Sequence, residues 1–140
     1  MPDNVALFAT TILILPMFYL LLASPAFLLV KLDVMPVARL LRGMFNSYFI
    51  VLMIAGAIGT TAVVLTGRWG LALGFGLMTA LAAASRRWFL ERMNFDIERE
   101  AVDAEIAHRM RRLHWGGMLA NAVQLAAVIA CIPYISVAPA

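Results

Sequence analysis

A chain of 140 residues with 64% hydrophobic and only 14% charged side chains departs in both directions from a soluble domain, which has roughly 45–50 % apolar and roughly 25 % charged residues. So short a chain cannot hide that many apolar groups in a core, because small domains have too much surface. The net charge of +3 would suit nucleic acid or anionic lipid, and the single cysteine, Cys131, excludes an intramolecular disulfide or a cysteine-based zinc site.

Four stretches are predicted to cross a hydrocarbon core of about 30 Å, which takes about 20 apolar residues. The first runs from Val5 to Val30 without a charge. Met1-Pro2-Asp3-Asn4 before it lacks the basic start of a secretory signal, and the apolar run is too long for one, so this helix is expected to be retained. Pro16 lies inside it, where a membrane helix tolerates proline because neighbours satisfy the freed carbonyl; Pro25 loosens its last turns. A loop from Lys31 to Met35 leads to Pro36, which suits a first helical turn. The second helix, over 36–66, opens with an interfacial turn carrying Arg39 and Arg42.

Gly67-Arg68 make a short turn, and the third apolar stretch runs from Trp69 to Ser85 in a helix continuing to about 93. The fourth runs from Leu113 to Ile132, in a helix starting near 97 and stopping at Pro133. Between them, Arg86 to Arg112 holds seven arginines and six acids. Helical spacing persists there, with Glu105 four residues before Arg109 in the favourable order. Helices three and four are therefore expected to project past the membrane as a charged cytoplasmic hairpin turning near Asn94 or Asp96. The short connections predict a single all-α domain, an up-down-up-down bundle of four membrane helices.

Small residues recur at close-packing spacing: Gly70 and Gly74, Gly116 and Ala120, and Ala55, Gly56 and Gly59. In lipid, such residues let helix backbones approach.

If the helices alternate, one side receives ten of the eleven basic residues and the other only Arg68. Basic residues accumulate in cytoplasmic loops, so the charged hairpin is cytoplasmic and both termini face outward, as in a bacterial inner membrane. Trp88 and Trp115 then anchor one interface and Trp69 the other. The basic bias thus reports topology and needs no nucleic acid.

No phosphate loop, GxSxG, HExxH or paired cysteine motif occurs. His108 and His114 lie about 240° apart around a helix, so one metal cannot readily take both. His114 and Met118 share a face and could ligate haem iron or copper, although a boundary histidine with a gap-filling methionine is the plainer reading. The stronger signal is a stripe on helix four: Arg111, His114, Met118 and Asn121, with Gln124 slightly to one side. An amide deep in lipid is unfavourable without partners, so the stripe should face the bundle interior. Ser24, Asn46, Ser47 and Ser85 supply polar groups at matching depth. Interhelical glue and a small-ligand pocket both fit. His114, Asn121 and Asn46 are expected to form one buried cluster in the cytoplasmic half.

The runs Ser24-Pro25-Ala26-Phe27-Leu28-Leu29, Ala38-Arg39-Leu40-Leu41 and Met44-Phe45-Asn46-Ser47-Tyr48-Phe49 resemble the opening of small four-helix membrane proteins related to transmembrane protein 205. Met93-Asn94-Phe95-Asp96 and the segment from Arg112 through His114 and Asn121 to Leu125 are similar to that family's second half. Gly117 stands where the family usually has serine, and Asn46 replaces a frequent proline. The resemblance implies the four-helix topology and importance for Pro25, Phe45, Asn94, His114 and Asn121, and no agreed activity. A weaker resemblance, in size and helix count, is to membrane proteins related to anthrone oxygenases.

Three functions follow. The first is a non-enzymatic membrane protein binding a partner, a lipid or a small solute through a cytoplasm-side polar pocket of His114, Asn121, Gln124, Asn46, Ser24, Arg111 and Asn94. The second is a small oxidoreductase using His114 with haem, metal or quinone; the third is an accessory subunit of a larger membrane complex. The first is preferred, because no set of residues is committed to chemistry. No cofactor or stoichiometric metal is expected. The bilayer, a homo-oligomer or a larger complex are the expected partners.

Overall fold

A computed structural model describes residues 3–30, 35–98 and 104–137. Of the loop expected from Lys31 to Met35, residues 31–34 lie outside the described residues, as does the segment 99–103 with Arg99, while Met35 already begins a helix. The fold is all-helical, with no β-strand among the described residues: α1 (Asn4–Ala23), a 3₁₀ turn (Ser24–Leu28), α2 (Met35–Leu65), α3 (Trp69–Glu98) and α4 (Ala104–Ile135).

The apolar stripes that build the core keep alternating three- and four-residue steps. On α1 the buried positions include Ala6, Thr10, Leu13, Met17 and Leu20, and on α2 Ala38, Leu41, Phe45, Tyr48, Leu52, Ala55 and Gly59. Such spacing puts one narrow face of each helix inward. The outward faces stay apolar: Leu15, Leu22, Leu73, Leu77, Leu119 and Val123 are all more than half exposed. Apolar exposure on that scale suits contact with lipid, not water.

Three helices, Asn4–Leu28, Met35–Leu65 and Glu105–Ile135, are long and apolar enough to cross a membrane. The sequence predicted four. In α3 the apolar part is padded with alanine and glycine and stops at Ser85, before Arg86 and Arg87; its length is about 25 Å at 1.5 Å per residue.

Two helix ends also differ from expectation. Asn94 and Asp96 do not mark a turn, because α3 runs on to Glu98. Their side chains, which can compete with helical backbone, are engaged elsewhere: Asn94 accepts from Arg42, and Asp96 pairs with Arg109 at 3.2 Å. Pro133 does not stop α4, which continues to Ile135. The proline falls in the last turn, which Ser136 closes by donating its N–H to the Ile132 carbonyl at 2.9 Å.

Opposite the charged segment, three elements are tied by Arg68. Gly67, at φ 75, takes the left-handed conformation that glycine adopts without strain, and so ends α2 next to Arg68. Nη1 of Arg68 donates to Asp3 Oδ2 at 2.7 Å and to the Ile135 carbonyl at 2.8 Å. Asp3 also caps α1, accepting from the N–H groups of Val5 and Ala6. The Ala6 amide foremost, then the Arg68 guanidinium, holds the Asp3 carboxyl below its ordinary value.

Candidate functional site: a polar core beside an open cleft

Phe45 is the hub at the charged-end half of the bundle. It is fully buried, with its ring 4.5 Å from Phe89 and 5.9 Å, edge-on, from the imidazole of His114. Gly117 permits this packing: a Cβ there would stand 2.7 Å from the Phe45 ring and 3.3 Å from Phe89. Any larger residue there would need those rings to move.

Two helical turns of α4 set the polar groups against this hub. His114 is fully buried, its Nε2 3.4 Å from Ser24 Oγ. Two turns on, the Tyr48 hydroxyl donates to Asn121 Oδ1 at 2.8 Å, and Asn121 Nδ2 donates to the Met17 carbonyl at 2.9 Å. Asn121 therefore links α4 to both α1 and α2, which removes the penalty of burying an amide. His114 Nδ1 is the exception, buried without a partner among the described residues.

The structure brings together His114, Ser24 and Asn121 from the predicted pocket and distributes the rest. Asn46 is not in this cluster: it follows Phe45 and so lies about 100° around α2, where its Oδ1 accepts from Arg86 Nε and Nη2 at 3.1 and 2.8 Å. Asn94 is held by Arg42. These two amide–arginine pairs clamp α2 to α3. Arg111 is exposed, while Met118 and Gln124 are half-buried. Among the described residues no three His, Cys, Asp or Glu side chains gather as metal ligands.

A cavity of about 900 Å³, open along one side, lies against this core. Its floor is Tyr48 and Phe49 of α2; Trp88, Phe89 and Arg92 line it from α3, and Arg112, Gly116 and Ala120 from α4. Gln124 and Asn121 reach its deep end, and Asp96 and Arg109 its charged end. The volume is within the range of about 300–1,000 Å³ typical of small-molecule sites. The cleft exists because α4 leans on α1 and only lightly touches α3.

Sequence reasoning assigned Gly116 and Ala120 to close packing; both are exposed, and a Cβ on Gly116 would meet nothing within 4 Å. It also missed Tyr48 and the facing arginines. Their signal was positional: Tyr48 stands three residues after Phe45, and Trp88, Arg92 and Asp96 follow one another at four-residue steps on α3. Comparison with family models, curated proteins and solved structures finds no match for this chain.

Proposed function

We propose that the protein is an integral membrane binding protein, without enzymatic activity, that holds a lipid or another apolar small molecule in the cleft between α3 and α4. The observation that carries this is the half-open cavity of about 900 Å³ with aromatic walls, flanked by the exposed apolar side chains of Leu119 and Val123. A cleft of this kind can be entered sideways from the bilayer. The neighbouring polar pairs, Tyr48–Asn121 and Asn121–Met17, are read as interhelical bonds that hold its floor.

In the same proposal all four helices cross the membrane up-down-up-down, α3 included, with the charged ends of α3 and α4 in the cytoplasm of a bacterial cell. Support comes from the ten-to-one distribution of basic residues and from the Asp3–Arg68–Ile135 contacts, which put the start of α1, the α2–α3 turn and the end of α4 side by side. Membership of the family related to transmembrane protein 205 belongs to this reading too, supported by Phe45 and His114 meeting in one core. Reporter fusions after Ala140 should act outside the cytoplasm, and exposed Cys131 should react with an impermeant thiol reagent from outside. Cytoplasmic activity of the Ala140 fusion would reverse the orientation.

Native mass spectrometry of gently solubilised protein tests the binding. The wild-type chain should retain one lipid-sized molecule through detergent exchange, and Ala120→Trp, which fills the cleft, should lose it. Equal retention by both proteins would remove the cleft as the site.

A further inference from the structure

We infer that the occupant of the cleft is an acidic phospholipid of the cytoplasmic leaflet, its phosphate held between Arg92 on α3 and Arg112 on α4 and an acyl chain lying along the aromatic wall. This rests on the cleft being a binding site, and it adds the charge of the ligand and its orientation.

Several charges at the mouth are already matched. Asp96 is buried and taken by Arg109 at 3.2 Å, and Arg109 also reaches Glu105 at 3.8 Å. Glu91 is taken by Arg87 at 3.1 Å. Arg92 and Arg112 both line the cleft and have no carboxylate within ion-pair distance among the described residues. Arg92 instead lays its guanidinium over the Trp88 ring, 4.8 Å from its centroid. That stacking fixes the group while leaving its N–H edge free to donate. Arg109 Nε, also at the mouth, is a buried donor with no partner among the described residues. Among the described residues, three donors with unmet capacity thus border one opening, and phosphate oxygens match arginine in number and geometry.

Below the arginines the chemistry changes. Trp88, Phe89, Leu113, Gly116 and Ala120 form an apolar channel, and at its deep end the Tyr48 hydroxyl is already satisfied by Asn121. A soluble anion would use the mouth and leave the channel unused, whereas a phospholipid uses both. Basic pockets between membrane helices on the cytoplasmic side are the setting in which acidic head groups bind.

The test titrates detergent-purified protein with phosphatidylglycerol and with phosphatidylcholine of identical chains, read by native mass spectrometry. Phosphatidylglycerol should bind at least about ten-fold tighter, on the basis of roughly five-fold per basic residue near an acidic head group. Arg92→Gln/Arg112→Gln should abolish that preference, weakening phosphatidylglycerol binding more than phosphatidylcholine binding. Arg39→Gln, on the exposed start of α2, should keep the preference, with all variants eluting as the wild type does in gel filtration. Equal binding of the two lipids, blocked by Ala120→Trp, would overturn the charge inference while leaving the cleft standing. A preference that survives the double substitution, or falls equally with Arg39→Gln, would overturn the assignment to this mouth. Absence of saturable binding by either lipid would overturn both readings.

Discussion

The seams on either side of α3 are built from similar residues and end up differently. Toward α2, the bundle is closed: a Cβ on Gly56 would lie 2.2 Å from Thr79 Oγ1, and one on Gly59 2.8 Å from the Phe75 ring. Asn46–Arg86 and Arg42–Asn94 then lock that seam at the charged end. Toward α4, Gly116 faces open space, and the residues bordering the gap are Trp88, Arg92 and Arg112. A small residue lets helices approach only if the opposite wall fills the notch it leaves. In the first seam a threonine and a phenylalanine do so. In the second, bulky and charged groups occupy the mouth, and α4 is drawn to α1 and α2 through Asn121 and Gly117.

The largest effects should come from filling closed contacts. Gly59→Leu and Gly117→Leu force side chains into phenylalanine rings and should each cost about 1–3 kcal/mol, seen as a lower melting temperature in detergent. Gly116→Leu, one residue from Gly117 but on the cleft, should stay within about 0.5 kcal/mol of wild type. Equal damage at 116 and 117 would mean that the cleft is closed in the folded protein.

A middle effect is expected at the polar link. Asn121→Leu should cost about 0.6 kcal/mol and no more than about 1.7, the range for interhelical hydrogen bonds in membranes. Tyr48→Phe should cost a similar amount, and the double variant should cost less than the sum, since the two side chains share one bond. Full additivity in that cycle would remove the Tyr48–Asn121 bond from the account.

The smallest effect concerns the opposite end. Asp3 is held below its ordinary value near 3.8 by the Ala6 amide and by Arg68, so its contribution is complete above that pH and is lost as pH falls through the lower folded value. Asp3→Asn keeps the helix cap, because asparagine caps as well as aspartate, but removes the ion pair. Wild type should melt slightly above the variant at neutral pH, and the two curves should converge as pH falls through that lower value. A gap that persists at low pH would assign the difference to something other than the Asp3 charge.

Much of this fold was legible in the chain because lipid imposes simple patterns. The apolar runs, the Gly67-Arg68 turn and the inward stripe of His114 and Asn121 all follow from composition and helical spacing. The partners of that stripe were not legible, because they depend on how each helix is rotated. Asn46 sits at the right depth for His114, yet one residue of offset from Phe45 turns it to Arg86. The cleft was hidden for a related reason: Gly116 and Gly117 are equivalent as letters, and only the tilt of α4 toward α1 gives one a phenylalanine to pack on and the other an opening. The end of α3 was missed where tertiary pairing, Asn94 with Arg42 and Asp96 with Arg109, overrode local turn preference.

The open seam can be tested most directly by photolabelling in membranes with a phospholipid that carries a diazirine on its acyl chain, followed by peptide mapping. Adducts concentrated on Phe89, Ala120 and Gln124, and lost from those sites in Ala120→Trp, are the predicted result. Labelling spread evenly over Leu15, Leu73, Leu119 and the other outward side chains, with none at Phe89, would contradict a lipid-occupied cleft between α3 and α4.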